Sequence, residues 1–186
     1  THRASPFMNI EHKLKALREL HAAVGLAQIR KLHTFLALQK KNNKALRSYL
    51  EQIPEITFRV VPEGGEDSCS FLSWFLPTPE LMQAFVAEMK TQGILAGNFY
   101  WFGNNWHYIK QWQHLQQATT LNNISAEQKM ALTNLATQDF SASDAIMSRC
   151  VSSAISLVWT DEQIKDKGEK MVAVIKKVLS EASVTV

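Results

Sequence analysis

One long stretch without proline, residues 16–53, constrains the fold of this chain most. Pro54 follows it directly, and it contains a single glycine, Gly25. Its apolar residues recur at three- and four-residue steps, which places them on one face of an α-helix: Leu17, Leu20, Val24, Ile29, Leu32, Phe35 and Leu36. We expect one long helix that spans more than one structural unit, unless it breaks at its most polar part, residues 40–43.

The composition is that of a soluble globular protein. A chain of 186 residues can bury about 70% of its unfolded surface in one core. No apolar run reaches the roughly 20 residues of a membrane span, and the N-terminus lacks the apolar block of a signal peptide, so we expect a cytoplasmic protein without a membrane partner. The net charge of +3 comes from interleaved acids and bases, which argues against a nucleic-acid surface. Cys69 and Cys150 lack metal-ligand spacing, and no metal site is expected.

Beyond Pro54 the pattern predicts a small sheet covered by helices. Strands are expected at residues 56–61, 69–75, 94–101 and 150–158, the first two forming an antiparallel hairpin across a glycine-containing turn. Helices are expected after the N-caps Thr78, Ser125, Ser143 and Thr160. The predicted fold is α/β (α+β) in three parts: an irregular segment at residues 1–18, the long helix at 19–53 and a small domain at 54–186.

Residues 98–115 (NFYWFGNNWHYIKQWQHL) are unusually aromatic. One interpretation is that these rings pack a loop onto the sheet, because aromatic residues dominate cores and interfaces. The other is a pocket wall, in which Asn104, Asn105 and His107 supply the polar groups of a binding site. The residues alone leave both interpretations open.

The segment ELHAAVGLAQIRKL, residues 19–32, resembles the start of the long interdomain helix in DegT/DnrJ-type pyridoxal-phosphate aminotransferases, which aminate keto-sugars. The order that follows is also similar: a hairpin, the PTPELMQAF helix, GILAGNFYW, the region of His107 and a last helix that begins WTDEQI. The resemblance covers nearly the whole chain but only the C-terminal part of such an enzyme. NNWHYIKQW and SDAIMSRCVS are most similar to the transaminases that make an eight-amino octulosonate sugar for lipopolysaccharide.

This resemblance implies a long helix followed by a small antiparallel or mixed sheet covered by helices, as in the small domain of fold-type I pyridoxal-phosphate enzymes. The lysine, the acid and most phosphate ligands that hold the cofactor belong to the family's large domain, upstream of this chain. The chain alone is therefore expected to carry no catalytic residue and to bind no pyridoxal phosphate, which the full-length enzyme would hold. An Asn-Tyr-Arg segment of the family is replaced here by Leu14, Lys15 and Ala16.

The resemblance also suggests substrate-binding candidates. Tyr100 corresponds to a tyrosine at the end of a small-domain strand, although Phe99 stands where the family has a histidine, and His107 falls where the family has a second histidine. Arg149 could bind a substrate carboxylate bidentately; a surface ion pair with Asp144 is the alternative. Asn105 and Trp106 complete the set. Core packing is the alternative role for Tyr100 and His107.

Two functions of different class follow. The chain is either the C-terminal portion of a sugar aminotransferase with an amino-acid donor, or a non-catalytic module that acts in binding or assembly. The expected partners in the first case are a second copy in a homodimer, a missing large domain, the amino-acid donor and the sugar acceptor.

Overall fold

The computed structural model describes residues 6–104, 106–135 and 137–184. Its helices are α1 (Pro6–Ile29), α2 (Leu32–Leu50), α3 (Pro79–Thr91), α4 (Gln113–Gln116), α5 (Ala126–Leu135), α6 (Ser141–Met147) and α7 (Asp161–Val184). The strands β1 (Thr57–Phe58), β2 (Phe71–Phe75), β3 (Asn98–Phe99) and β4 (Cys150–Ala154) form one sheet in the order β1-β2-β4-β3. Every neighbouring pair is antiparallel. The predicted fold class is confirmed.

The predicted helix caps are present. Thr78 and Thr160 each accept a hydrogen bond from a backbone N–H of the first turn, at 3.3 and 3.2 Å. Ser125 does the same for α5 at 3.1 Å. The backbone N–H of Thr160 donates to the side-chain oxygen of Gln163 at 3.0 Å, which completes the predicted capping box. The fourth predicted cap is wrong, because α6 begins at Ser141, two residues before Ser143.

The N-terminal half differs from the prediction in two ways. Residues 6–18, expected to be irregular, belong to α1, whose first residue is Pro6; proline suits the first position of a helix because its fixed φ is already helical. The long helix breaks at a turn at Arg30 and Lys31, not at residues 40–43. The polar part stays helical because Asn42 and Asn43 are buried and donate to the carbonyls of Ser156 (2.8 Å) and Phe71 (3.3 Å).

Two of the predicted strands are much shorter than expected. Within residues 56–61 the observed strand is only Thr57–Phe58, and within residues 94–101 it is only Asn98–Phe99. Both are edge strands, so each has one neighbour to fix its extended backbone. The predicted antiparallel pairing of the first two strands is confirmed, and the structure places Thr57 opposite Phe75.

The core lies between the helices α2, α3 and α7 and one face of the sheet. We call this face of the sheet the inner face. Leu72 and Trp74 of β2 point inward and are buried, and Trp74 meets Phe85 of α3 edge-on at 5.0 Å between ring centroids. Helices α2 and α3 both pack against α7. The core residues include Leu46, Leu50, Met82, Met89, Val151, Ile164, Met171 and Ile175.

Helix α1 lies outside this core. In the part of α1 whose side chains the structure describes, Leu20, Val24, Leu26 and Ile29 are exposed, from 51% at Val24 to 64% at Ile29, and they are not confined to one narrow stripe. Helices that are apolar on most sides are normally buried. Part of the predicted apolar face, the side chain of Leu17, lies outside the described residues.

We therefore expect the isolated chain to associate with itself through α1, because contiguous exposed apolar surface drives association. Replacing Leu20 and Val24 by lysine should shift the sedimentation velocity profile toward monomer. The matched control replaces Val60 and Val158, which lie outside α1 and are 83% and 84% exposed, by lysine and should leave the profile unchanged. A compact monomer of the unmodified chain would contradict the prediction.

Within the part of the chain that the structure describes, no helix is both long enough and apolar enough to cross a lipid bilayer.

Candidate functional site

The sheet face opposite the core, the outer face, carries a cluster of aromatic residues. Phe71 of β2 and Phe99 of β3 point to this side, opposite Ala154 and Ser152 of β4. Phe99 stacks on Trp101 with 4.8 Å between centroids and 3° between planes, and Phe71 meets both rings edge-on. These three, with Trp106 and His107, form what we call the aromatic cluster.

Trp106 and His107, like Phe71, are exposed members of the aromatic cluster. Trp106 is 62% exposed and lies 6.3 Å from the rings of both Phe99 and Trp101. His107 meets Trp101 edge-on at 4.5 Å. Asn104 fixes the turn, since its amide donates to the carbonyl of Tyr100 and its oxygen accepts from the N–H of Trp106. Asn105, the fifth candidate, lies outside the described residues.

Tyr100 points away from this surface. Its half-buried ring packs against the core, and its hydroxyl donates to the carbonyl of Ser148 at 3.0 Å. Burial raises the pKa of the Tyr100 phenol, and a hydrogen bond with Gln83 partly offsets that effect. The structure therefore places Tyr100 at the junction of α6 and β4, where Arg149 also lies.

Arg149 is held by backbone carbonyls. Its Nε donates to Ala145 at 2.9 Å, and its Nη1 lies 3.4 Å from the carbonyl oxygens of both Leu76 and Pro77. The alternative prediction, an ion pair with Asp144, is wrong. The Asp144 carboxylate is instead bound by other residues, as described next.

Asp144 joins the aromatic segment to α6, a contact that sequence reasoning missed. It accepts from the hydroxyl of Tyr108 at 2.6 Å and pairs with the ammonium of Lys110. Those two hydrogen bonds hold the pKa of Asp144 below its usual range, whereas burial and the bond to Asp144 raise the pKa of Tyr108 to about 12. The only signal in the sequence was the aromatic density around Tyr108, which does not identify a carboxylate partner 36 residues away.

The candidates thus form two groups. Trp106 and His107 lie together in the aromatic cluster, while Tyr100 and Arg149 meet at the junction of α6 and β4 through Ser148. The ring of Phe102 lies 6.0 Å from Tyr100 and 5.8 Å from Tyr108, so it connects Tyr100 to the residue that binds Asp144.

The described residues do not fit a pyridoxal phosphate site. Such a site needs a lysine amine together with partners for the phosphate and the pyridine ring. Lys167 is the one lysine with a described side chain that is not exposed, and its ammonium donates to the Ala96 carbonyl at 3.2 Å. The adjoining cavity of about 180 Å³ is largely apolar and smaller than the roughly 300 Å³ at which ligand pockets begin. No group of three or more metal-ligating side chains was found among the described residues either.

Residues 9–172 match the DegT/DnrJ/EryC1/StrS aminotransferase family. The chain belongs to this family. Its fold is similar to that of a putative sugar aminotransferase from Streptococcus pneumoniae in its PMP form, with 18% identity and a TM-score of 0.58 over 87% of this chain and 36% of that one. It is also similar to an aminotransferase from Streptoalloteichus hindustanus, with 13% identity and a TM-score of 0.54 over 84% of this chain and 36% of that one.

At these identities the two likenesses show a shared fold. This member of the DegT/DnrJ/EryC1/StrS family spans about 36% of the length of both structures.

Proposed function

We propose that this chain is the C-terminal portion of a pyridoxal-phosphate-dependent aminotransferase that transfers an amino group from an amino-acid donor to a keto or aldehyde sugar. The observation that carries the proposal is the family match over residues 9–172. The cofactor would be held by a large domain outside this chain, because the described residues do not form a site for it. In this proposal α1 and α2 act as the interdomain helix, and residues 54–186 act as the small domain of a cytoplasmic homodimer.

The aromatic cluster would contribute a wall of the substrate pocket. Trp106 and His107 present their rings at the surface, and apolar walls with a few polar groups are typical of small-molecule sites. Tyr100 would position the junction of α6 and β4 through its bond to Ser148 rather than contact the substrate.

Arg149 would bind a carboxylate of the donor or of a sugar-acid acceptor. Its Nε and Nη1 are occupied by carbonyl oxygens, which fix the plane of the guanidinium. Its Nη2 makes no hydrogen bond to any described residue, so this atom keeps two donors for a ligand. An octulosonate acceptor carries such a carboxylate, so we propose it ahead of a nucleotide sugar.

The test is to express the full reading frame that encodes this chain, beside the chain alone, and to add pyridoxal phosphate. We expect only the longer protein to show visible absorption from bound cofactor and to aminate a sugar substrate when given glutamate. An octulosonate aldehyde and a nucleotide 4-keto sugar, compared as acceptors, separate the two acceptor classes. A longer protein that binds no cofactor would refute the proposal and favour a binding or assembly module.

In the active protein, Arg149→Ala should raise the KM for the carboxylate substrate about tenfold or more, since a hydrogen bond to a charged group contributes roughly 1.5–3 kcal/mol. Arg47→Ala is the matched control, because Arg47 of α2 pairs with Glu51, the residue that follows this helix.

A further inference from the structure

Lys167 has surroundings unlike those of the other lysines of α7. It lies near the start of the helix, and its side chain reaches the loop between α3 and β3. There its Nζ donates to the Ala96 carbonyl at 3.2 Å and lies 5.7 Å from the centroid of the Trp159 ring. This placement leaves the amine between a carbonyl oxygen and an aromatic face.

No carboxylate of the described residues pairs with Lys167. The charged side chains that line its cavity are Asp166 and Lys170, and these two pair with each other at 2.7 Å. Lys165, two residues before Lys167, pairs with Glu169. The proton of Lys167 is therefore not held by a counter-charge, unlike the protons of its neighbours.

The cavity beside Lys167 is largely apolar. It has a volume of about 180 Å³, and Met89 of α3, Ile94 and Ala96 of the following loop and Met171 of α7 line it. The loss of water around the ammonium lowers the pKa of Lys167. A larger fraction of this amine is therefore unprotonated near neutral pH than of an exposed lysine, and the unprotonated amine is the nucleophile.

We propose that Lys167 is an acylation site, at which the amine accepts a small acyl group from an activated donor of the acyl phosphate class. The Nζ lone pair attacks the acyl carbon, a nitrogen–carbon bond forms, and the carbon–oxygen bond to phosphate breaks. Phosphate leaves with the electron pair of that bond, and the nitrogen gives up its extra proton to solvent.

The acylated side chain of Lys167 is expected to be more stable in these surroundings than the ammonium is. The new amide keeps one N–H, which can still donate to the Ala96 carbonyl, and the acyl methyl group would lie in the apolar cavity. The half-buried charge is removed, so the desolvation that disfavours the ammonium no longer applies.

The experiment treats the folded chain and the chain in urea with acetyl phosphate near neutral pH and follows each lysine by peptide mass spectrometry. We expect Lys167 to be acetylated several-fold faster than Lys170 in the folded chain, and the two rates to become similar in urea. An equal or slower rate at Lys167 in the folded chain would overturn the proposal. So would a ratio that urea leaves unchanged.

A pair of variants tests whether the absence of a counter-charge causes the faster acetylation of Lys167. Ile94→Asp places a carboxylate beside the amine and should slow acetylation of Lys167 to nearly the rate of Lys170, because the proton is then held. Ile94→Asn introduces a side chain of the same size as aspartate but without its charge. In this variant most of the difference between the acetylation rates of Lys167 and Lys170 should remain. Circular dichroism establishes that both variants are folded, and equal rates at Lys167 in the two would contradict the proposal.

Discussion

Replacing Trp74 by alanine is expected to lower the free energy of unfolding by about 3–5 kcal/mol, the usual cost of deleting a large buried aromatic side chain. Trp74 is 0% exposed and lies on β2, one of the two central strands, where it contacts Phe85 edge-on. Small domains are stable by roughly 5–15 kcal/mol, so this loss would leave the variant close to unfolding at room temperature. Urea denaturation followed by circular dichroism measures the change.

Two control variants separate the loss of buried ring packing from the loss of the indole hydrogen bond and from the loss of a tryptophan at the surface. Trp74→Phe keeps an aromatic ring against Phe85 and loses the indole N–H bond to the Ser153 hydroxyl, so it should cost less than alanine. Ser153 is not left without a partner, because its hydroxyl also donates to the Asn98 side chain at 2.6 Å. Trp106→Ala removes an exposed tryptophan and should change stability by about 0.5 kcal/mol or less. Equal losses in Trp74→Ala and Trp106→Ala would contradict the assigned core.

Local features of the fold could be predicted because short-range chemistry determines them. The N-caps Thr78 and Thr160 depend on residues a few positions away, and the antiparallel pairing of β1 with β2 depends on one connecting turn. The break at Arg30 and Lys31 could not, because neither glycine nor proline marks it. The helical state of Asn42 and Asn43 depends on carbonyls of distant segments, which no local pattern reveals.

In the candidate site, too, contacts between distant segments could not be predicted from local sequence patterns. The aromatic density of residues 98–115 left a packed loop and a pocket wall as alternatives, and the family resemblance selected Tyr100, His107 and Arg149. Neither could show that the Arg149 guanidinium is fixed by the carbonyls of Leu76 and Pro77, which lie more than 70 residues away along the chain. The pairing of Asp144 with Tyr108 and Lys110 was missed for the same reason: it joins a loop to a helix across 34 to 36 residues.

That pairing leads to the second large effect: the folded chain should lose stability steeply as the pH rises from about 10 to 12. The pKa of Tyr108 is raised to about 12 in the fold, first by burial and then by its bond to Asp144, from the ordinary value of 10.0. Below pH 10 the phenol is protonated in both states, so the stabilisation is fully present. Between the two values only the unfolded chain loses the proton, which favours unfolding by roughly 3 kcal/mol in total.

Urea midpoints measured at several pH values across this range check the prediction, with tyrosinate absorbance as an independent readout. Tyr108→Phe should be somewhat less stable near neutral pH but show a shallower fall above pH 10, because the titrating phenol is gone. The slope that remains includes Tyr100, whose pKa burial also raises. Asp144→Asn keeps a hydrogen-bond acceptor without the charge and should give an intermediate slope, because burial remains the larger cause. Parallel curves for the unmodified chain and Tyr108→Phe would show that the Tyr108 phenol does not control alkaline stability.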